Sequence, residues 1–372
     1  MVVVFIAAIA GVITLLEGSG GSSSSDTGSS SNASENLLDL DPTREGRNLP
    51  GITAWLNGDP IVSLDELAGK VVLVDFWTYT CVNCIRTIPH LRAWNDEYGD
   101  KGLVIIGVHS PEFTFEKSLD NVRTAVSDLE IPWLVANDPE RLTWDSFRAR
   151  AWPTKILLGF DGRERKRVVG EGQYEEMEVL IRLSLVESGV EIPDAPLTAT
   201  NPDLQVYRSL TREVFGGWRF EFMTTQGRYL GNPDDSDFDA VYSFVDSGAP
   251  RPDGVYFLQG PWEREREAAV HAQEAESYAD YIAVSYTGRT ANAVIEPRGS
   301  GGALRVLVTH DGGPLQESNR GRDVVLKGGQ TYLLVDEPRM YEIVASEGVG
   351  RHELRLSPLS ERFAFHTFTF GP

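Results

Sequence analysis

The chain has 372 residues, 41% of them hydrophobic and 24% charged, with a formal net charge of −21. That length suits about two domains, and the apolar content excludes global disorder. The acidity excludes nucleic acid as a natural partner, because a negative surface repels phosphate backbones, and the excess acid reads as a solvated surface.

Val2 to Leu16 is apolar and uncharged. It is shorter than the roughly 20 residues of a spanning helix and lacks the basic start of a secretory signal. Residues 1–16 read as a membrane anchor, either a signal-anchor or a truncated transmembrane helix, with a cleaved signal peptide as the alternative. Either reading places the rest of the chain outside the cytoplasm, on the periplasmic side, and the first tethers it to the cytoplasmic membrane. No cysteine follows the segment, so a lipidated cysteine is not its anchor. Residues 17–48 are Gly/Ser-rich and read as a flexible linker; Asn32-Ala33-Ser34 within it is a chance match to a glycosylation acceptor.

Residues 49–190 alternate strands and helices. Ile52 to Leu56 is short and apolar, and Ser63 caps a turn over Leu64 to Leu67. The run Val71 to Trp77 (VVLVDFW) predicts a strand buried on both faces. A helix follows over Cys84 to Tyr98, then a second buried strand over Leu103 to Val108. Phe115, Leu119, Val122, Val126 and Leu129 recur at helical spacing. Trp133 to Ala136 is a short strand, Lys155–Phe160 and Arg165–Val169 flank the hairpin signal Asp161-Gly162, and a helix closes the domain over Tyr174 to Glu187. The order predicts an α/β layer with a terminal hairpin.

Residues 191–204, with Pro193, Pro196 and Pro202, read as a linker. In 205–372 the pattern becomes short strands, over 218–222, 255–259, 281–286, 291–295, 304–308, 323–326, 331–335, 341–344, 352–356 and 363–370. This spacing predicts an all-β sandwich, jelly-roll-like.

The two cysteines are Cys81 and Cys84, too few for a disulfide scaffold. A C-x-x-C between a buried strand and a helix start has a specific use. Unpaired N–H groups and the helix dipole favour a thiolate at the first cysteine, and the second, one turn on, can resolve a mixed disulfide. The alternatives are a zinc half-site or an inert pair. Zinc wants about four ligands, and His90, His109, His271, His310, His352 and His366 are scattered, so neither metal nor other cofactor is expected.

The segment VDFW followed by C-x-x-C, with Asp75 six residues before Cys81, resembles thioredoxin. Pro89 matches that family's helix proline, and Trp152-Pro153-Thr154 its cis-proline loop. The extra helix and strand between Leu103 and Lys155 resemble the insertion of TlpA-like, membrane-anchored thioredoxins. WTYTCVNCIRTIPHLRAW, GVHSPEFTFEK and GEGQYEE are similar to the extracytoplasmic part of the DipZ family, where a thioredoxin domain precedes a β-sandwich similar to carbohydrate-binding modules. The chain departs from thioredoxin at Thr80 and at Val82-Asn83. DipZ proteins carry an electron-importing membrane domain in the same chain; none is seen here, so the resemblance implies a separate membrane electron donor of the CcdA/DsbD type, or a fragment of a longer chain.

The resemblance implies a thioredoxin-like fold followed by the β-sandwich, and an extracytoplasmic thiol–disulfide oxidoreductase that reduces protein disulfides. Cys81 attacks, Cys84 resolves, and Asp75 exchanges the proton, unless Asp75 lies exposed on an edge. Pro153 is cis and holds Trp152 beside the disulfide, unless it is an ordinary turn proline. Glu112 is a second acid near the cysteines or a solvated surface residue. Trp77 and Tyr79 shape the rim or merely pack. Two further readings stay open. In one, the C-terminal domain binds a glycan or protein partner through Trp218, Tyr256, Trp262, Tyr278, Tyr281 and Phe363, which otherwise form its core. In the other the chain is a thiol peroxidase; Thr78-x-x-Cys81 resembles the peroxiredoxin motif, but Val74 stands where that motif has proline.

Overall fold

The computed structural model describes residues 48–61, 63–198, 209–223, 230–232, 237–248 and 250–372. The expected anchor, nearly all of the Gly/Ser-rich linker and part of the 191–204 linker lie outside these residues. Among the described residues, no helix is long and apolar enough to cross a membrane.

The first domain is a six-stranded mixed sheet. Its strands are β1 (Ala54–Leu56), β2 (Val71–Trp77), β3 (Leu103–His109), β4 (Leu134–Asn137), β5 (Thr154–Leu158) and β6 (Glu164–Val169), in the order β1-β4-β3-β2-β5-β6. Parallel β2–β3 and β3–β4 pairs lie beside antiparallel β2–β5 and β5–β6 pairs. Every residue of β2 is buried, which a sheet covered on both faces requires. Val71, Leu73 and Trp77 pack with helices α1 (Val82–Tyr98) and α4 (Tyr174–Glu187), whereas Val72, Val74 and Phe76 pack on the other face around Trp144 and Phe147. By strand alternation Asp75 shares the α1 face with Leu73 and Trp77.

Helix α2 (Leu119–Asp128) follows a 3₁₀ turn over Thr114–Lys117, and a short helix α3 (Leu142–Ser146) was not predicted. Its N–H groups at Thr143 and Trp144 are capped by the Asp138 carboxylate, 3.2 and 2.8 Å away, a partner that the five-residue apolar pattern does not reveal.

Among the described residues of the second domain, the named strands pair antiparallel and one helix accompanies them. Its strands are β7 (Val214–Phe215), β8 (Val241–Phe244), β9 (Tyr256–Arg264), β10 (Ala269–His271), β11 (Tyr281–Pro297), β12 (Leu304–His310), β13 (Val324–Lys327), β14 (Gln330–Val335), β15 (Arg339–Ser357) and β16 (Phe363–Gly371). Each of the long strands β11 and β15 joins two predicted strands. Gly288 and Gly350, which read as breaks, are partners in the ladder, and bulges on β11 absorb the bend. Pairings β11–β16, β16–β10, β10–β9 and β9–β11 close a circuit of four strands. Tyr256, Trp262 and Phe363 lie in the core inside it, with Ile282, Val306 and Leu356. They offer no surface for stacking on a sugar.

The predicted strand over 218–222 is instead a helix, α5 (Arg219–Met223). Five alternating residues fit one helical turn as well as a short strand. Gly216 and Gly217 lie so close to Phe365 and Glu267 that a Cβ there would collide with backbone, and the turn after them stacks Phe220 on Phe215, ring centroids 3.9 Å apart.

Glu178 on α4 ties helices and linker together. Fully buried, it accepts from Trp94 Nε1 (3.2 Å), Tyr98 Oη (2.7 Å), Arg182 Nη2 (2.9 Å) and the Thr198 amide (2.9 Å). Glu178→Leu would take their acceptor from Trp94, Tyr98 and Thr198 and the counter-charge from Arg182, and is expected to lower stability by about 3–5 kcal/mol, as for a broken buried ion pair. Urea unfolding measures this, and a loss within the noise of a surface substitution would refute the assignment.

Candidate active site

Strand β2 delivers the chain into the loop Thr78-Tyr79-Thr80, and Cys81 then stands as N-cap of α1 in extended conformation. Helix α1 thus begins earlier than predicted. The Cys81 sulfur accepts the Cys84 amide at 3.2 Å, the N-terminal donation that favours a thiolate. Both cysteines are free thiols, Cys81 half-buried and Cys84 buried. Pro89 lies inside α1, where it supplies no N–H to the Ile85 carbonyl.

Behind Cys84 lies Asp75. It is 4% exposed, and its Oδ1 has no hydrogen-bond partner. Its register partner on β5 is Lys155, which is 0% exposed. Lys155 Nζ donates to the Gly170 carbonyl at 2.8 Å and lies 5.3 Å from the Tyr174 ring centre. Burial pushes Asp75 up to about 7, with the Lys155 charge opposing. Burial lowers Lys155, while Asp75 and the thiol groups hold it up. Burial also raises Cys84 well above the ordinary thiol range, and Cys81 and Asp75 add to it. A carboxyl titrating near neutrality beside a reluctant thiol can exchange a proton with it.

The sequence expectation of a depressed Cys81 thiol meets an opposing environment. Burial raises it, the Cys84 contacts oppose this, and the carboxyls of Glu213 and Glu112 add to the rise. Glu112 is itself raised well above its ordinary value by burial, then by Glu213 and Glu116, with Arg219 and Arg141 opposing. It is half-buried, so it is neither a freely solvated glutamate nor a core residue. Glu116 is fully buried; it accepts from Thr80 Oγ1 and from the Glu112 and Phe113 amides at 2.6 and 2.9 Å. It therefore fastens the loop after β3 to the loop that carries Cys81.

The peptide Trp152–Pro153 is cis. The Pro153 carbonyl accepts the Gly170 amide at 2.7 Å, and Trp152 is half-buried with its indole N–H on the Ser110 carbonyl at 2.8 Å. Trp77 is buried, edge-on to His109 at 5.3 Å, and so lies in the core and not at a rim. Tyr79 is buried too and stacks on His109 at 5.5 Å, while one side of it lines a groove of about 300 Å³ with Ile85, Ala125, Arg339 and Met340.

That groove runs between the domains, because the second domain docks on the redox loop. Phe215, Phe220, Val294 and Met340 form a cluster with Phe113, against which Val82 and Ile85 of the α1 start pack. Arg219 bonds the Glu112 carbonyl and, at 2.7 Å, Glu267, whose other oxygen takes the Thr114 amide at 2.7 Å. Glu213, just before β7, brings a carboxyl of the second domain toward Cys81.

Sequence reasoning singled out Cys81, Cys84, Asp75 and Pro153, and the fold places all four at the adjoining ends of β2, α1 and β5. It missed Lys155, Glu116 and Glu213. Lys155 leaves a trace, a lysine in the otherwise apolar run Pro153 to Leu158. Glu213 leaves none, because only domain docking brings it near.

Residues 46–165 match the AhpC/TSA family, and residues 222–371 match a family described as thioredoxin-like C-terminal domain. The chain is 31% identical over 345 residues to the protein DipZ of Mycobacterium tuberculosis, covering 92% of this chain and 45% of that protein; it thus spans less than half the length of that relative. It is 43% identical over 133 residues to NHL repeat-containing protein 2 of Bos taurus, 35% of this chain and 18% of that one. It is 26% identical over 143 residues to the thiol-disulfide oxidoreductase ResA of Bacillus cereus, 38% of this chain and 79% of that one.

Two predictions follow from the charges. A carboxyl whose pKa is raised on folding costs stability above its unfolded value, and the cost grows until pH passes the folded value. Asp75→Asn is therefore expected to stabilise the reduced protein near pH 8 by on the order of 2–4 kcal/mol and to do little near pH 4; equal effects at both pH values would count against a buried, raised Asp75. Glu213→Gln removes a negative charge that faces Cys81 and should lower the Cys81 thiol pKa, read from thiolate ultraviolet absorbance against pH; an unchanged titration would count against that contact.

Proposed function

We propose that this chain, similar along 92% of its length to DipZ, is a thioredoxin-like thiol–disulfide oxidoreductase acting through Cys81 and Cys84. The observation that carries the reading is the arrangement of the pair: a half-exposed thiol capping a helix, its partner one turn behind, and a buried carboxyl beside that partner.

The exchange proceeds in two steps. The Cys81 thiolate attacks one sulfur of a substrate disulfide, forming a mixed disulfide and releasing the other sulfur as thiolate. Asp75 then takes the Cys84 proton. The Cys84 thiolate attacks the Cys81 sulfur, closing the internal disulfide and freeing the second substrate thiol. Two electrons pass from the cysteine pair to the substrate. Lys155, its register partner on β5, steadies Asp75 when it is ionised. Trp152 and Pro153 flank the sulfurs and offer backbone to a substrate strand, and Glu112 meets the incoming chain as a protonated acid below its raised pKa.

The substrates proposed are disulfide-containing proteins. In this reading the reduced pair is regenerated by a membrane electron donor of the CcdA/DsbD type, and the apolar segment Val2 to Leu16 tethers the chain outside the cytoplasm; the support is that segment's composition and the likeness to DipZ. The intact Cys81–Cys84 pair beside a buried Asp75 favours this over a pure binding role.

Trapping tests the assignment. Cys84→Ser is expected to accumulate mixed disulfides with substrate proteins, and Cys81→Ser to accumulate none. Equal trapping by both variants, or none by either, would overturn the roles.

A further inference from the structure

Outside the redox centre, the second domain gathers three groups that the sequence keeps apart. β12 ends at His310, and the chain then turns through Asp311 (φ 50°) and Gly312 (φ 79°). β12 pairs with β15 so that His310 faces Leu354. His352, two residues from Leu354 on the same strand, therefore points to the same side, and the two imidazole centres lie 4.7 Å apart. Asp311 closes the cluster. Its Oδ2 lies 2.8 Å from His352 Nδ1 and 3.7 Å from His310 Nδ1, while its Oδ1 is already engaged by the Glu353 amide at 2.8 Å.

We propose that His310, Asp311 and His352 bind a divalent transition-metal cation of the Zn²⁺ class. Imidazole nitrogen with one carboxylate is the donor set for such ions, and three protein ligands leave a position for water. Bonds of about 2.0–2.1 Å in tetrahedral geometry put ligand atoms roughly 3.3 Å apart. The two separations from Asp311 Oδ2 bracket that value, and all three ligand atoms lie within 4.8 Å of one another, so small side-chain movements complete the site.

The surroundings are built for the same purpose. His310 is 7% exposed, and its remote nitrogen Nε2 lies 3.1 Å from the hydroxyl of fully buried Tyr286, the kind of outer contact that fixes a ligating imidazole. The Asn319 side chain gives its oxygen to the Gln316 amide at 2.8 Å, which turns its nitrogen toward His310 Nδ1 at 3.5 Å. That contact favours an unprotonated Nδ1. A cation would take the Nδ1 lone pair from the long 3.5 Å Asn319 contact, with the Asp311 carboxylate 3.7 Å away as its neighbouring ligand. Asp311 is exposed and His352 half-buried, so an ion can enter from solvent. The bound ion would clip the turn after β12 to β15.

The test uses the full chain with Cys81 and Cys84 oxidised to their disulfide, so that no thiol competes for metal. Titration with Zn²⁺ by calorimetry should show one equivalent bound, and Co²⁺ should give visible d–d bands without thiolate charge transfer. His352→Ala and Asp311→Asn should each weaken Zn²⁺ at least about tenfold. Asp311 is exposed, so its variant keeps the test readable should the histidine variant fail to fold. No heat and no cobalt bands, or affinity unchanged in both variants, would overturn the site.

Discussion

The strand that runs through the centre of the first domain buries all seven of its residues, and one of them carries a carboxyl. Almost everything about the candidate site depends on how that carboxyl is tolerated. Isolated in an apolar sheet, an ionised Asp75 would be too costly to keep. Lys155 lies across the ladder as its register partner, itself buried and held by the Gly170 carbonyl. The pair does not cancel. Desolvation leaves Asp75 near neutrality, and leaves it next to the cysteine that must lose a proton. The same burial that makes β2 a good core strand leaves its one polar side chain titrating near neutrality.

The second domain belongs to this electrostatic arrangement as well. Its aromatic cluster around Phe215 and Phe220 packs against the first turn of α1, and its Glu213 joins Glu112 in an acidic surround for Cys81. Acidic surroundings raise a thiol, so the helix N-terminus and the docked domain pull Cys81 in opposite directions. Burial raises Cys81 most, and these two effects act on top of it.

Two long strands run through the all-β domain and pair along its length. β11 and β15 run past glycines that look like ends and continue by bulging, so one ladder spans the domain and its core. That continuity also brings His310, at the end of β12, beside His352 in the middle of β15.

Local pattern was enough to show the layered α/β domain, the buried β2, the capping position of the cysteine pair and the β-rich second half, because each rests on periodicity or on residues a few positions apart. The resemblance of Trp152-Pro153-Thr154 to a known loop was legible for the same reason. The helix at Arg219–Met223 was not, because five residues satisfy either period and the collision limits at Gly216 and Gly217 decide. Lys155 beside Asp75, Glu116 under Thr80, Glu213 near Cys81 and the His310–Asp311–His352 cluster belong to the tertiary structure alone. Which charges face one another is set by strand register and domain docking, and those bring together residues whose separation along the chain leaves no local trace.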